Sequence, residues 1–267
     1  MTIALTIRIN NALILATDSS STIMELEDDI PHVHQTYFNA DKLFNLKKNE
    51  PVGCLTWGDG SINGIPISIL TKEFRDELEI DELNIEKIKE EFIEFLKKYI
   101  GDSNNINVGF LIAGYSQCKG NDPEMHVIEI KQGKIQDSVK LTDDPFSISW
   151  FGDQDFLSRF IFGIDSNIGN LLKENGFNED EVDEITEFSK RELALPLGFP
   201  EMPVQDAIDL AKFLVDICKK SSRFIPGPQL IGGPTDIAAI TKFEGFKWIE
   251  RKHYYSQELN IIEHKED

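Results

Sequence analysis

The first residues of the chain place a hydroxyl group where it could become a nucleophile. Thr2 directly follows the initiator methionine, and a side chain this small permits removal of Met1 by methionine aminopeptidase. The mature chain would then begin with a hydroxyl and a free α-amine on one residue. The reference pKa of such an amine, about 7.7–8.0, lets it accept the hydroxyl proton near neutral pH. Thr2 could therefore supply both the nucleophile and its general base.

A nucleophile of this kind also needs a nearby cation, which lowers the pKa of the amine and stabilises the developing alkoxide. Lys42, in "NADKLFNL", stands at the head of a short apolar strand. A buried lysine requires an anion, and Asp18, at the end of the second apolar run, could provide it. Thr2, Asp18 and Lys42 thus form a chemically complete set. A simpler interpretation, an N-terminal β-hairpin without chemistry, fits the same residues.

The elements that must position these residues begin with that hairpin. Two apolar runs, "TIALTIRI" and "ALILAT", flank an Asn-Asn turn. The acidic segment "MELEDDIPHVHQTYFNA" is expected to form a loop, and "DKLFNL" and "PVGCLTW" are expected to form two short strands. A helix is predicted to begin near Ile67, and apolar residues at helical spacing predict another that includes Ile85, Ile88 and Phe92.

Strands are expected again from Asn105, followed by acidic helices over about 153–200, one further helix and two last strands. This order predicts the α+β class, with two antiparallel sheets stacked between helical layers in a four-layer αββα sandwich. Since no linker divides the chain, residues 1–267 are predicted to form a single domain, with a helical insertion at about 153–200.

Composition restricts the partners. The net charge of -20, from 27 Lys and Arg against 47 Asp and Glu, repels nucleic acid and anionic membranes. We expect a cytoplasmic protein, because the chain shows neither a signal peptide nor an apolar run of about 18 residues. The spacing of Cys54, Cys118 and Cys218 fits neither a disulfide framework nor a zinc site. His32 and His34 are interpreted as solvated rather than metal-binding, so no metal and no cofactor is predicted.

The stretch "TIALTIRINNALILATDSSST" resembles the opening segment of proteasome β-subunits and their bacterial, Anbu-type relatives, which are N-terminal-nucleophile (Ntn) hydrolases. "ADKLFNL" is similar to the lysine-bearing strand of that family, and "GCLTWGDG" resembles the next strand. "VGFLIAGYS", "QDAIDLAKFLVDI" and "GGPTDIAAIT" are similar to later core elements. The resemblance implies an Ntn-hydrolase fold.

The resemblance also implies roles for single residues. Thr2 falls on the nucleophile, Asp18 and Lys42 fall on its ion pair, and Gly58 falls on the residue whose N–H binds the oxyanion. The residues that it places beside the substrate are Ser21, Thr22 and Thr56. Departures occur where active subunits carry supporting side chains: Asp153 and Ile231 stand in place of serines and Pro228 in place of an aspartate.

The function that the resemblance implies is that of a threonine endopeptidase. It would cleave peptides or unfolded proteins inside a self-compartmentalised homo-oligomer, with an ATPase or other regulator left open. Two alternatives remain: a catalytically inactive scaffold subunit of the same fold, and an Ntn amidase acting on small amides.

Overall fold

A computed structural model describes the protein over residues 2–27, 30–79, 82–117, 120 and 122–252. The strands are, in chain order, β1 (Ile3–Ile9), β2 (Ala12–Thr17), β3 (Ser21–Glu27), β4 (Ile30–Tyr37), β5 (Leu43–Asn45), β6 (Val52–Gly58), β7 (Ser61–Ile62), β8 (Ile65–Pro66), β9 (Val108–Gly114), β10 (Glu124–Lys131), β11 (Lys134–Ile135), β12 (Val139–Lys140), β13 (Ser147–Gly152), β14 (Asp236–Thr241) and β15 (Gly245–Glu250). The helices are α1 (Ile67–Glu77), α2 (Ile85–Ile100), α3 (Asp155–Leu157), α4 (Ile168–Glu174), α5 (Glu179–Leu193) and α6 (Val204–Ser222).

The strands of the described part form two main antiparallel sheets. The first sheet has the order β13-β1-β2-β14-β15, and the second has the order β11-β10-β9-β6-β5, with β12 paired to β10. The predicted N-terminal hairpin is therefore present, and β14, from near the other end of the chain, pairs directly with β2. A mixed structure of helices and antiparallel sheets is confirmed.

Alternate side chains of the first sheet pack in opposite directions. Every residue of β1 and β2 is buried. One set of their side chains, including Leu5 and Ile14, packs with residues of α6 such as Leu214. The other set, including Leu15, packs with Leu55 of the second sheet. The continuous apolar runs in the sequence reflect this burial on both faces.

The second sheet has its own apolar contact with helices. Phe110 of β9 packs with Phe92 of α2 and with Phe74 of α1 in one buried cluster. The Phe92 ring lies 5.1 Å from the Phe110 ring and 4.9 Å from the Phe74 ring, centroid to centroid, in edge-to-face geometry. The helical spacing of apolar residues in α2 places these aromatic side chains on the face that meets the sheet.

The prediction of an acidic loop before Lys42 is wrong. Strands β3 and β4 pair there as a two-stranded antiparallel ribbon, and residues 28–29 lie outside the described part. Ile23, Met24 and Tyr37 are exposed on this ribbon. The β-branched and aromatic residues of the ribbon, such as Ile23 and Tyr37, favour extended backbone.

The helices predicted over about 153–200 are present. A short helix, α3, continues as a π-helical turn over Ser158–Phe162, and α4 and α5 follow. Helix α5 begins at a capping box in which the Asn178 side chain accepts from the Glu181 N–H and the Glu181 carboxylate accepts from the Asn178 N–H. That this segment is an insertion into a single domain stays a prediction.

In the described residues, no helix is both long enough and apolar enough to cross a bilayer.

Phe92→Ala is expected to lower the free energy of unfolding by about 3–5 kcal/mol, because it removes a fully buried ring from the cluster under α2. Urea denaturation measures the change. The matched control is Phe243→Ala, whose ring is 88% exposed and whose loss should change stability by less than about 0.5 kcal/mol. Equal effects of the two substitutions would contradict the assignment of this core.

Candidate active site

One cleft, with a volume of about 650 Å³, opens where the ends of the two main sheets meet. The predicted site residues that line it are Thr2, Ser21, Thr22, Lys42, Thr56 and Gly58. Asp18 lies beneath the cleft and is fully buried. The fold therefore brings all seven predicted residues to one region, although their roles stay a prediction.

A buried ion pair joins Lys42 to Asp18. The Lys42 Nζ lies 2.7 Å from Asp18 Oδ1, and both side chains are buried. The Asp18 carboxylate also accepts backbone N–H groups from Ile3 (3.2 Å), Ser20 (3.1 Å) and Gly232 (3.0 Å). These donors replace the water that the carboxylate loses on burial.

The surroundings of Lys42 act on its pKa in opposite directions. Burial lowers the pKa of the Lys42 ammonium, and the contact with Asp18 opposes that shift. The positive charge of Lys252 lowers the pKa of Lys42 further, while the negative charge of Asp236 raises it. The site thus holds a desolvated ammonium whose charge depends on specific partners.

The backbone around Thr2 is held from two sides. Its carbonyl accepts a hydrogen bond of 2.7 Å from the Asp153 N–H, and the next amide, of Ile3, donates to Asp18. The Thr17 hydroxyl donates to the Ile3 carbonyl at 2.9 Å. Thr2 itself is buried against the cleft wall. The position of Thr2 is therefore set by the hydrogen bonds that β1 forms with β13 and with Asp18.

Two glycines border the site because a side chain would collide there. Gly58 has a φ of +88°, and a Cβ at this position would lie 2.4 Å from the Asn107 carbonyl oxygen. Gly152 has a φ of +86°, and its Cβ would lie 2.1 Å from the Thr2 carbonyl oxygen. Only glycine meets both requirements at each position. The bend at Gly58 ends β6 at the edge of the cleft.

The three residues predicted to contact substrate differ in whether their polar groups already form hydrogen bonds within the protein. Thr56 donates its N–H to the Lys42 carbonyl at 2.9 Å and its hydroxyl to the Gly109 carbonyl at 3.0 Å. The buried Thr22 hydroxyl has no hydrogen-bond partner among the described residues. Ser21 is half-buried and lies, with Thr22, at the start of β3. Contact with substrate by these residues stays a prediction.

Sequence reasoning missed the second layer of support for Asp18. The Ser20 hydroxyl lies 2.6 Å from Asp18 Oδ2 and 2.5 Å from the Leu230 carbonyl oxygen. The Ser19 N–H donates to the Gly232 carbonyl at 2.9 Å, which ties the segment after α6 to the end of β2. The polar run "DSSST" behind a buried strand was the available signal.

The cysteines and histidines lie apart from this chemistry. Cys54 and Cys218 are buried, and burial raises the pKa of the Cys218 thiol to about 12, which disfavours the reactive thiolate. Cys118 lies outside the described residues. His32 and His34 are exposed on β4, and the described residues contain no group of three or more potential metal ligands.

Comparison with solved structures gives the class of the fold. The chain is similar to a mutant of Anbu from Hyphomicrobium sp. strain MC1, with a TM-score of 0.57 and 14% identity over 97% of this chain and 91% of that chain. The protein therefore has the fold of Anbu, an ancestral proteasome β-subunit-like protein, as the sequence resemblance indicated. Anbu (ancestral beta-subunit) from Yersinia bercovieri has a TM-score of 0.48 and 15% identity over 95% of this chain and 89% of that chain. Neither a protein-family model nor a curated protein matches the sequence.

Gly152→Ala is expected to destabilise the protein more than Gly176→Ala, by at least about 1 kcal/mol in the free energy of unfolding. Both glycines have a positive φ, so both substitutions strain the backbone, but only the Cβ at 152 meets the Thr2 carbonyl. A Cβ at Gly176 has no heavy atom within 4 Å. Chemical denaturation of both variants measures the difference, and equal losses would show that the close approach at Thr2 is not needed.

Proposed function

We propose that the protein is a threonine-type peptidase of the proteasome β-subunit family, with the four-layer αββα architecture of Ntn hydrolases. The observation that carries the proposal is the buried Lys42–Asp18 ion pair beside the cleft that Thr2 lines. The Anbu-like fold supports it. The packing of the two sheets against each other, and of each against its own helices, supports the layered architecture.

The proposed reaction begins after removal of Met1. The α-amine of Thr2 accepts the hydroxyl proton, directly or through a water, while the Thr2 Oγ attacks the peptide carbonyl carbon. Lys42 stabilises the negative charge that develops on the nucleophile, and Asp18 orients Lys42. The Gly58 N–H donates to the oxyanion, a contribution of about 3 kcal/mol for one such donor in other enzymes.

The intermediate then collapses in the usual order of acyl transfer. The peptide C–N bond breaks and the proton passes from the ammonium of Thr2 to the leaving amine, which leaves an ester between Thr2 Oγ and the acyl part of the substrate. A water gives its proton to the restored amine and attacks the ester. The ester C–O bond breaks, the carboxylic acid product leaves, and the Thr2 hydroxyl is regenerated.

Substrate would lie as an extended strand between the segments of Thr22 and Gly58, so that backbone hydrogen bonds provide most of the affinity. Ser21 and Thr56 would border the pocket for the neighbouring side chain. This binding mode suits peptides and unfolded protein segments. The strongly negative net charge of the chain opposes nucleic acid and anionic membrane as partners.

We further propose that the protein works as a cytoplasmic homo-oligomer that encloses the cleft. Large apolar side chains stand exposed on the helical segments and just after α6, as interfaces between subunits require. Among them are Phe188, Phe199, Phe213 and Phe224.

The inactive-scaffold alternative rests on Asp153, Pro228 and Ile231, which replace supporting side chains. Backbone groups provide support at the same places: the Asp153 N–H holds the Thr2 carbonyl, and the Gly232 N–H holds Asp18. The ion pair is thus retained without those serines, which favours the peptidase.

A peptide β-lactone, whose ring opens onto an N-terminal threonine hydroxyl to form an ester, should add once to the protein at Thr2. Intact mass spectrometry and peptide mapping measure the adduct, and a fluorogenic peptide measures turnover. Thr2→Ala is expected to remove the adduct and lower hydrolysis by about 100-fold or more, since it deletes the nucleophile. The matched control, Thr2→Ser, keeps a hydroxyl and an α-amine and should retain both signals.

The same measurements separate the alternatives. Retention of Met1 in the purified protein, or absence of an adduct on wild type, would contradict the peptidase and support the scaffold. Adduct formation with hydrolysis of small amides but not of peptides would support the amidase.

A further inference from the structure

A second buried lysine lies next to the Lys42–Asp18 pair. Lys252 follows β15, and its ammonium contacts the Asp236 carboxylate and lies 3.5 Å from Asp41 Oδ1. The backbone N–H of Lys252 also donates to Asp236 Oδ1 at 3.1 Å. The side chains of Lys252 and Asp236 are 7% and 3% exposed, so this pair is as buried as the first.

The two lysines bridge the same gap between the sheets. Asp236 begins β14 in the first sheet and is paired with Thr17, the residue before Asp18. Asp41 directly precedes Lys42, and this segment leads into β5 of the second sheet. Lys252 therefore ties the first sheet to the residue next to Lys42, while Asp18 ties the first sheet to Lys42 itself.

Stability alone does not explain a charged pair at this place. Two buried ions lose their hydration, and well-packed apolar side chains of similar volume would bridge the sheets at equal or lower cost. The pair contacts the segment that carries Lys42, and its ammonium offsets the charge of the Asp41 carboxylate, which lines the cleft. Both properties act on the ammonium that the proposed mechanism uses.

We propose that Lys252 is a positioning residue, which through Asp41 and Asp236 holds the Lys42 ammonium against Asp18 and offsets the negative charge of these two carboxylates. The inference rests on the proposed function for its catalytic consequence. Its structural content, a coupling between two buried lysines, can be tested without turnover.

The charges that act on Lys42 give the sign of the expected effect. Burial lowers the pKa of Lys42 most, Asp18 raises it, Lys252 lowers it and Asp236 raises it. Removing the charges of Lys252 and Asp236 together leaves the Asp41 carboxylate, directly before Lys42, without the Lys252 ammonium. The pKa of the Lys42 ammonium should therefore rise, and the pKa of the Thr2 amine should rise for the same reason.

The test uses the double variant Lys252→Met/Asp236→Asn, since a single substitution would leave a buried charge without its partner. The control is Lys212→Met/Glu250→Gln, which removes an ion pair of 2.5 Å on a more exposed surface. Lys252→Arg keeps the charge and serves as the conservative variant. Unfolding curves establish that each variant is folded under assay conditions.

Hydrolysis of the fluorogenic peptide is followed across about pH 6 to 10. For the double variant we expect the profile of kcat/KM to move to higher pH by roughly half a unit, and kcat at neutral pH to fall about 10-fold with KM nearly unchanged. Lys252→Arg and the control should match wild type. A folded double variant with the wild-type profile would overturn the proposal.

Nuclear magnetic resonance of isotope-labelled lysine, with the Lys42 signal assigned from Lys42→Arg, provides the readout that needs no turnover. The Lys42 titration should move to higher pH in the double variant and stay unchanged in the control. If wild type forms no lactone adduct but this shift occurs, the proposed function fails and the coupling stands. An unchanged Lys42 titration would show that Lys252 does not act on Lys42.

Discussion

The buried ion pair between Lys42 and Asp18 is the interaction on which the cleft depends. A carboxylate without water must find donors, and here they come from distant segments: the Ile3 and Ser20 amides near the start of the chain and the Gly232 amide near its other end. Leaving one charge of such a pair uncompensated typically costs about 3–5 kcal/mol. The hydrogen bonds to the Asp18 carboxylate thus fix the position of the segment after α6 relative to the ends of β1 and β2.

Backbone groups carry much of the support that side chains provide in the proteins this sequence resembles. The resemblance implies serines at the positions of Asp153 and Ile231. In this protein the backbone N–H of Asp153 donates to the Thr2 carbonyl, and the backbone N–H of Gly232, next to Ile231, donates to the Asp18 carboxylate. A main-chain donor persists when the side chain at its position changes. The geometry of the cleft can therefore be retained while the sequence around it diverges, which agrees with an Anbu-like fold at 14% identity.

Strong local patterns made part of this structure predictable. The β1–β2 hairpin and α2 follow from apolar periodicity, and the contact of Lys42 with Asp18 follows from the need of a buried lysine for an anion. The β3–β4 ribbon was missed because apolar residues such as Ile23, Met24 and Tyr37 are exposed on it, so its sequence lacks the regular alternation of buried apolar and exposed polar residues. The contact of Lys252 with Asp41 could not be predicted, because it depends on β14 pairing with β2, and no sequence spacing encodes that order.

The position of β14 between β2 and β15 has a consequence for the order of events during synthesis. The ribosome releases Thr2 early, but β14, which pairs with β2, and Lys252 emerge more than two hundred residues later. Contacts this distant in sequence close slowly, after local elements have formed. A growing polypeptide consequently exposes Thr2 while the cleft is still unassembled, and whatever chemistry the cleft performs is withheld until β14 and Lys252 have been synthesised.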